Sequence, residues 1–248
     1  MVKIMMGDKM SIWLSGDCHA EFNRFNTTNF PKGKKLTKDD YVIILGDFGL
    51  IWDMQESKDE VYWKKWLNEK PWTTLFVDGN HENHPRLYEL LIEDKFGGKV
   101  GKVSDSIYHL KRGEVYTIAG KTFFTMGGAY SVDKLQRVNH ISWWKEEIPS
   151  HAEMEYGLSN LDKNGNKVDY ILTHTSSREA IDEILRGTKF GIYDLLVDKV
   201  KDATVDYLTH VESIVDYKEW YFGHMHPDEI FKWKKYTCLY EHIIELAI

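Results

Sequence analysis

Cysteine is nearly absent from this chain. Only Cys18 and Cys238 occur, far apart in 248 residues. That excludes a disulfide framework and fits a reducing compartment, the cytosol. Long apolar runs are missing as well: none reaches the roughly 18 residues that span a bilayer, and the opening MVKIMMGDKM has no signal-peptide core. Neither a membrane protein nor an exported one is expected. An excess of basic charge is also lacking. The formal net charge is −7, which argues against a protein that holds nucleic acid by bulk attraction. No internal repeat, low-complexity tract or Pro/Ser-rich linker interrupts the chain. What remains, 42% hydrophobic and 29% charged residues, is the balance of one globular domain over 1–248 with a sizeable core. Nine Trp lift the aromatic content to 14%; packing accounts for them more readily than a stacking site for a base or sugar.

Residues 11–16 (SIWLSG) and 41–46 (YVIILG) are short, β-branched and stopped by glycine, as buried strands are. The second is apolar almost throughout, which marks a strand covered on both faces. Between residues 53 and 70, Val61, Trp63, Trp66 and Leu67 recur at helical spacing among charges, and Pro71 follows the stop. Residues 73–77 (TTLFV) make a third strand. This strand–helix–strand rhythm indicates an α/β fold. Residues 106–110, 114–118 and 121–126 are short strands divided by Arg112-Gly113 and Ala119-Gly120, and they read as antiparallel hairpins. Residues 168–173, 220–223, 230–233 and 238–244 complete the β content. Two mixed sheets packed face to face, with helices outside, fit this order. Residues 127–166 and 175–203 have weaker periodicity and are expected to be loops and short helices above a site, where specificity is set. The Asn164-Gly165 turn ends the first of them.

Five short motifs each follow a strand-like run: Gly16-Asp17-Cys18-His19, Gly46-Asp47, Gly79-Asn80-His81-Glu82, Thr173-His174-Thr175 and Gly223-His224-Met225-His226. They offer Asp17, His19, Asp47, Asn80, His174, His224 and His226 as candidate metal ligands. Residues two apart on an extended segment point the same way. Asp17 and His19 can therefore aim at one metal, and His224 and His226 stand in the same relation. Asp47 is a lone carboxylate whose two oxygens can bridge two cations. Asn80 adds a neutral carbonyl oxygen and His174 another nitrogen. The mixed N/O set suits Mn²⁺, Fe, Zn²⁺ or Co²⁺ better than an all-oxygen Mg²⁺ or Ca²⁺ cage. Cys18, on the alternate face between two ligands, is expected to pack. Two adjacent cations can activate a water and polarise a phosphate. The glycines before the ligands let the backbone turn sharply and approach an ion or phosphate.

In this order the motifs resemble the calcineurin-like metallophosphoesterase superfamily, from Asp17 to His226. The resemblance implies a four-layer α/β sandwich, two packed mixed β-sheets flanked by helices, with a dinuclear metal site at strand ends. It implies that Asp17, His19 and His226 hold the first metal, that Asn80, His174 and His224 hold the second, and that Asp47 bridges them. Manganese is the first expectation, with Fe, Zn²⁺, Co²⁺ or Ni²⁺ behind it. His81 becomes the non-ligand imidazole that protonates the leaving oxygen or steadies the phosphoryl group, with Glu82 or Asp78 orienting it. The implied reaction is hydrolysis of a phosphate ester by in-line attack of a metal-bound water or hydroxide. A phosphomonoester of a phosphoprotein or nucleotide is the first expectation, a phosphodiester or nucleic acid the second, and a non-catalytic metal-binding scaffold the third.

One departure is informative. The protein Ser/Thr phosphatase branch follows its second motif with Val-Asp-Arg-Gly, whose arginine grips phosphate. Here Asp47 is followed by Phe48-Gly49-Leu50-Ile51-Trp52. Arg137 is the first choice to replace that arginine, with Arg24 and Arg178 behind it. Among the remaining candidates, His84 reads as a helix N-terminal or surface residue, and His109, His140, His151, His210 and His242 read as structural. Ser131 and Asp133 read equally as turn residues or substrate contacts, Trp143-Trp144 as packing, and the lysines from 232 to 235 as a solvated strand face.

Overall fold

In a computed structural model, which describes residues 10–187 and 202–247, the chain forms two mixed sheets. The first contains β1 (Ile12–Ser15), β2 (Tyr41–Leu45), β3 (Thr73–Val77), β4 (Leu91–Lys95), β5 (Gly98–Ser104), β6 (Ile107–Leu110) and β13 (Ile243–Glu245). Their order is β13-β1-β2-β3-β6-β5-β4. The second contains β7 (Val115–Ile118), β8 (Lys121–Met126), β9 (Tyr170–Thr173), β10 (Glu219–Phe222), β11 (Glu229–Phe231) and β12 (Tyr236–Cys238), in the order β11-β12-β10-β9-β8-β7. Each sheet has a parallel centre, β1-β2-β3-β6 and β12-β10-β9-β8, edged by antiparallel strands.

Side-chain alternation builds the layers. Ile12, Leu14, Ile43, Leu45, Leu75 and Val77 face inward, where they meet Phe123, Tyr170, Leu172 and Tyr221 of the second sheet. The intervening Trp13, Val42, Ile44 and Phe76 face outward, onto Phe22, Phe25, Phe30 and Leu67. Leu67 lies on α1 (Lys58–Asn68). The outer face of the second sheet presents Phe124, Ile171, Trp220 and Phe222 to α3 (His151–Lys163), α4 (Arg178–Gly187) and α5 (Ala203–Ile214). A central strand thus buries both its faces, as its nearly continuous apolar sequence requires. No described helix is long and apolar enough to cross a membrane.

Several local readings change. The strand from Ile107 does not form a hairpin with the strand from Val115. β6 pairs with β3 and β5, whereas β7 pairs with β8 in the other sheet. The Arg112-Gly113 step is where the chain crosses between sheets, and Gly113 takes a φ of +76° to do so. The β4–β5 hairpin escapes sequence reading because it is an exposed edge, rich in charge and weak in apolar signal. Residues 238–244 divide between β12 and β13, in different sheets. A 3₁₀ turn, Lys232–Lys234, follows β11 in place of a continued strand. Within residues 127–166 stands a full helix, α3, started by a Ser150/Glu153 capping box and ended at Asn164. Part of the 175–203 stretch, residues 188–201, lies outside the described residues, as do residues 1–9.

Candidate metal centre

All five motifs lie directly after parallel strands, β1, β2, β3, β9 and β10. The carboxyl ends of these strands gather at one edge of the sandwich, where α/β sheets place their ligands. Backbone bonds lock the loops together. Cys18 and His19 donate to the Asp47 carbonyl at 3.0 and 2.7 Å, and Gly223 donates to the His174 carbonyl at 2.8 Å.

The ligand pairs do not arise from strand alternation. β1 ends at Ser15, before Asp17. His19, Asp47, His224 and His226 all adopt positive φ, between 41° and 65°, a left-handed backbone that costs a non-glycine residue energy. The loops are bent to bring the side chains inward. Glycine makes room at two of these bends. A Cβ on Gly79 would stand 2.0 Å from Asp47 Oδ1, and Gly46, at φ +92°, lies where a Cβ would meet His174 Nδ1 at 2.0 Å. Neither position accepts a side chain.

Among the described residues, donor atoms converge in three groups: Asp17, His19 and His226; His19, Asp47 and His81; and Asp17, Asp47 and His174. His226 Nε2 is 3.0 Å from Asp17 Oδ2. The two Asp47 oxygens face different imidazoles, Oδ1 at 3.3 Å from His174 Nε2 and Oδ2 at 3.7 Å from His19 Nε2. Asn80 Oδ1 is 3.0 Å from the same His174 nitrogen. His224 packs its ring on His174, with centroids 4.9 Å apart. The structure therefore brings all seven candidate ligands to one place. Cys18 is buried, its Sγ 3.7 Å from the Gly16 carbonyl, and burial pushes its thiol up to about 12. It packs as a neutral group.

The electrostatics are those of a cation site. Burial alone would push the Asp47 carboxyl up, but His174, with His81 and His19 behind it, holds it well below the usual range. Burial likewise opposes a charge on His174, yet Asp47 and Asp17 raise its proton affinity. Its Nδ1–H donates to the Leu45 carbonyl at 2.9 Å, which leaves Nε2 facing Asp47 and Asn80. Two oxygens and the Nε2 nitrogen thus meet at one point, and the raised proton affinity of His174 marks it as a place that favours positive charge. This donor set of carboxylates, imidazoles and one amide oxygen fits divalent transition metals.

Two supports were invisible in sequence. Asn80 Nδ2 donates to Ser131 Oγ at 3.1 Å, and Ser131 Oγ donates to Glu147 Oε2 at 2.5 Å. Glu147 also accepts from the Ser131 backbone at 3.1 Å. This relay fixes the Asn80 amide so that its oxygen faces His174. Ser131 follows β8, a further parallel strand whose carboxyl end reaches the site. Tyr240 stacks on the His226 ring, with centroids 4.5 Å apart. The Gly127-Gly128 step before Ser131 was the one available signal, and turn chemistry explained it equally well.

The residues expected around His81 are distributed differently. Its backbone N–H donates to Asp47 Oδ1 at 2.7 Å. Its ring meets Arg137, whose Nη2 lies 2.5 Å from Nε2, and Trp52, whose ring is 5.7 Å away at 21°. Burial, with Arg137 and His19 nearby, outweighs Asp47 and holds His81 down to about 4. It is neutral at neutral pH and accepts from the guanidinium. Arg137 is itself held by Asp133 at 2.7 Å. The other two arginines have different partners. Arg24 donates to Ser15 Oγ at 3.3 Å and to the Tyr240 carbonyl at 2.5 Å, and Arg178 acts on the Asp202 carboxyl.

Glu82 and Asp78 turn away from the His81 ring. Glu82 Oε1 accepts from Phe48 N at 2.7 Å, bracing the loop after Asp47. Burial, with Asp47 and Asp78 close by, pushes its carboxyl well above the ordinary range. Asp78 pairs with Arg112 and with His109, whose Nε2 is 2.9 Å from Oδ1. His84 opens the short helix α2 (His84–Tyr88) but is buried, its Nε2 3.1 Å from the Gly79 carbonyl.

A family profile described as calcineurin-like phosphoesterase matches residues 10–235. No curated protein matches the chain. The matched span contains the parallel centre of the first sheet, strands β8, β9 and β10 of the second, and every candidate ligand.

Proposed function

The chain belongs to the calcineurin-like phosphoesterase family of metal-dependent hydrolases, and from that premise we propose that it is a phosphomonoesterase with a dinuclear centre, manganese first, acting on a phosphoprotein or a nucleotide. The observation that carries this reading is the placement of Asp47, one oxygen toward His174 and the other toward His19. Asp17, His19 and His226 would hold one ion, Asn80, His174 and His224 the other, with Asp47 between. Two cations there would lower the pKa of a water and neutralise phosphoryl oxygens. Arg137, whose guanidinium reaches the His81 ring, would take the part of the arginine missing after Asp47 and offer N–H groups to a phosphate. An entering dianion adds negative charge beside His81 and raises its proton affinity. A phosphate that draws the Arg137 guanidinium onto its own oxygens would free Nε2 to carry the proton that the leaving oxygen takes. The two buried free thiols support a reducing, cytosolic setting.

Metal removal tests the reading first. The Mn²⁺-loaded protein should hydrolyse an aryl phosphate monoester faster than the diester and lose that activity on full chelation. His81→Ala should keep its metal while turnover falls roughly 10²–10⁴-fold. Activity that survives chelation, or metal lost with His81, would contradict the assignment.

The Ser131–Glu147 relay gives a second prediction. Ser131→Ala releases the Asn80 amide to rotate and present its NH₂ to the site. Metal affinity should fall about 10–100-fold, the usual effect of losing a group that orients a ligand. Titration of metal into the metal-free variant reads this directly. Unchanged affinity would remove Asn80, or its orientation, from the scheme.

A further inference from the structure

A cleft of about 290 Å³ opens beside His19 and His81. Its far walls are Trp52, Trp63 and the first turn of α1, which carries Asp59. Among the described residues no lysine or arginine lines it, and the exposed Asp53 and Asp59 do. We infer that this cleft takes the nucleoside of a nucleotide substrate, with Trp52 as its stacking wall and the Asp53 and Asp59 carboxylates as acceptors for its amino and hydroxyl groups. The inference rests on the phosphoesterase reading, which puts the scissile phosphate beside His81.

The wall is built rather than incidental. The loop holding Trp52 is tied down at every step by the segment after His81. Asn83 N donates to the Ile51 carbonyl at 2.9 Å, and Asn83 Nδ2 donates to the Trp52 and Asp53 carbonyls at 3.2 and 3.0 Å. Arg86 donates to the Asp53 carbonyl at 3.0 Å and forks onto Glu60 of α1 at 2.7 and 2.8 Å. Edge contact with the buried Trp144, at 5.3 Å, fixes the indole. The segment that supplies Asn80 and His81 thus also sets the position of Trp52.

The chemistry of the walls selects the occupant. Acidic groups at the rim repel a second phosphate or an acidic peptide. The indole, one face against His81 at 5.7 Å, is pre-positioned, and a base stacking on its other face does so at little entropic cost. Carboxylates accept hydrogen bonds from ribose hydroxyls and exocyclic amines. A glycerol or sugar phosphate satisfies only the last of these, and a phosphoserine peptide has no flat ring to stack on the indole.

The test compares substrates within one preparation. For the full Mn²⁺-loaded chain, kcat/KM is measured on adenosine 3′- and 5′-monophosphate, glycerol 2-phosphate and a phosphoserine peptide. Adenosine binding to the metal-free protein is measured by calorimetry. The better adenosine monophosphate should exceed glycerol 2-phosphate by about 10-fold or more, a ratio that stacking alone supplies. Trp52→Ala should collapse that ratio and abolish adenosine binding, and Trp52→Phe should restore both in part. Hydrolysis of glycerol 2-phosphate or the peptide at least as well as the nucleotides, or a ratio indifferent to Trp52, would overturn the cleft assignment and leave the phosphoesterase standing. If no ester is hydrolysed, that reading fails; adenosine binding that depends on Trp52 would still support the cleft, and its absence would overturn it.

Discussion

Asparagine in place of Asp47 should leave a folded protein that holds at most one metal ion and turns over on the order of 10³-fold more slowly. The side chain is almost completely buried, and its two oxygens face imidazoles from different loops. Asparagine keeps the shape, the fit against Gly79 and one oxygen to accept from His81 N. It removes the negative charge and puts an NH₂ where the second oxygen was. An NH₂ binds no cation, so the shared position is lost for one ion and weakened for the other. The same change at a terminal position costs less. His226→Asn removes one nitrogen from one ion, at a side chain 44% exposed and open to water as a substitute. Metal analysis and turnover on the same samples should therefore rank Asp47→Asn below His226→Asn in both quantities. Two ions per chain in Asp47→Asn would refute the bridging position. Denaturation of the metal-free proteins should show the two variants folded alike.

How much of this was legible in sequence depends on where each signal resides. The parallel strand centres were readable because both faces are buried and the composition records it, as in YVIIL of β2. The seven candidate ligands were readable because each lies within four residues of a strand end in a short motif. Their pairing has a different physical cause from strand alternation. Alternation along a strand does not aim Asp17 and His19 together; a left-handed turn at His19 does, and no residue type announces that turn. The supports were hidden for another reason. Ser131, Glu147 and Tyr240 act on Asn80 and His226 across 51, 67 and 14 positions of sequence, the middle one through Ser131. They belong to ordinary-looking loops. Arg112 is disguised in the same way. Beside Gly113 it reads as a hairpin turn, whereas the chain there leaves one sheet for the other.

That arginine carries the largest expected effect on stability. Arg112→Met should destabilise the protein by about 3–5 kcal/mol, the usual consequence of stranding one member of a buried ion pair. Arg112 donates to Asp78 Oδ2 through Nε at 2.9 Å and Nη2 at 2.6 Å, both side chains nearly sealed from water. Burial would push the Asp78 carboxyl up, but Arg112, then His109 and His84, hold it well below the ordinary range. A depressed carboxylate contributes stability above its unfolded pKa and loses it as pH falls through the folded one. Without Arg112 burial prevails, and Asp78 is driven toward its neutral form. The deficit of the variant should thus be greatest near neutrality and should shrink in acid, as the wild type loses its own advantage. Urea denaturation across that range measures it. Adding Asp78→Asn to Arg112→Met should recover part of the loss, because no buried charge is then left alone. A deficit independent of pH, or one the second change worsens additively, would assign the effect to packing. Arg112 Nη2 also donates to the Glu146 carbonyl at 2.9 Å, one residue before the Glu147 that braces Ser131. The variant should for that reason bind metal more weakly even at temperatures where it remains folded, which links the crossing between the sheets to the orientation of Asn80.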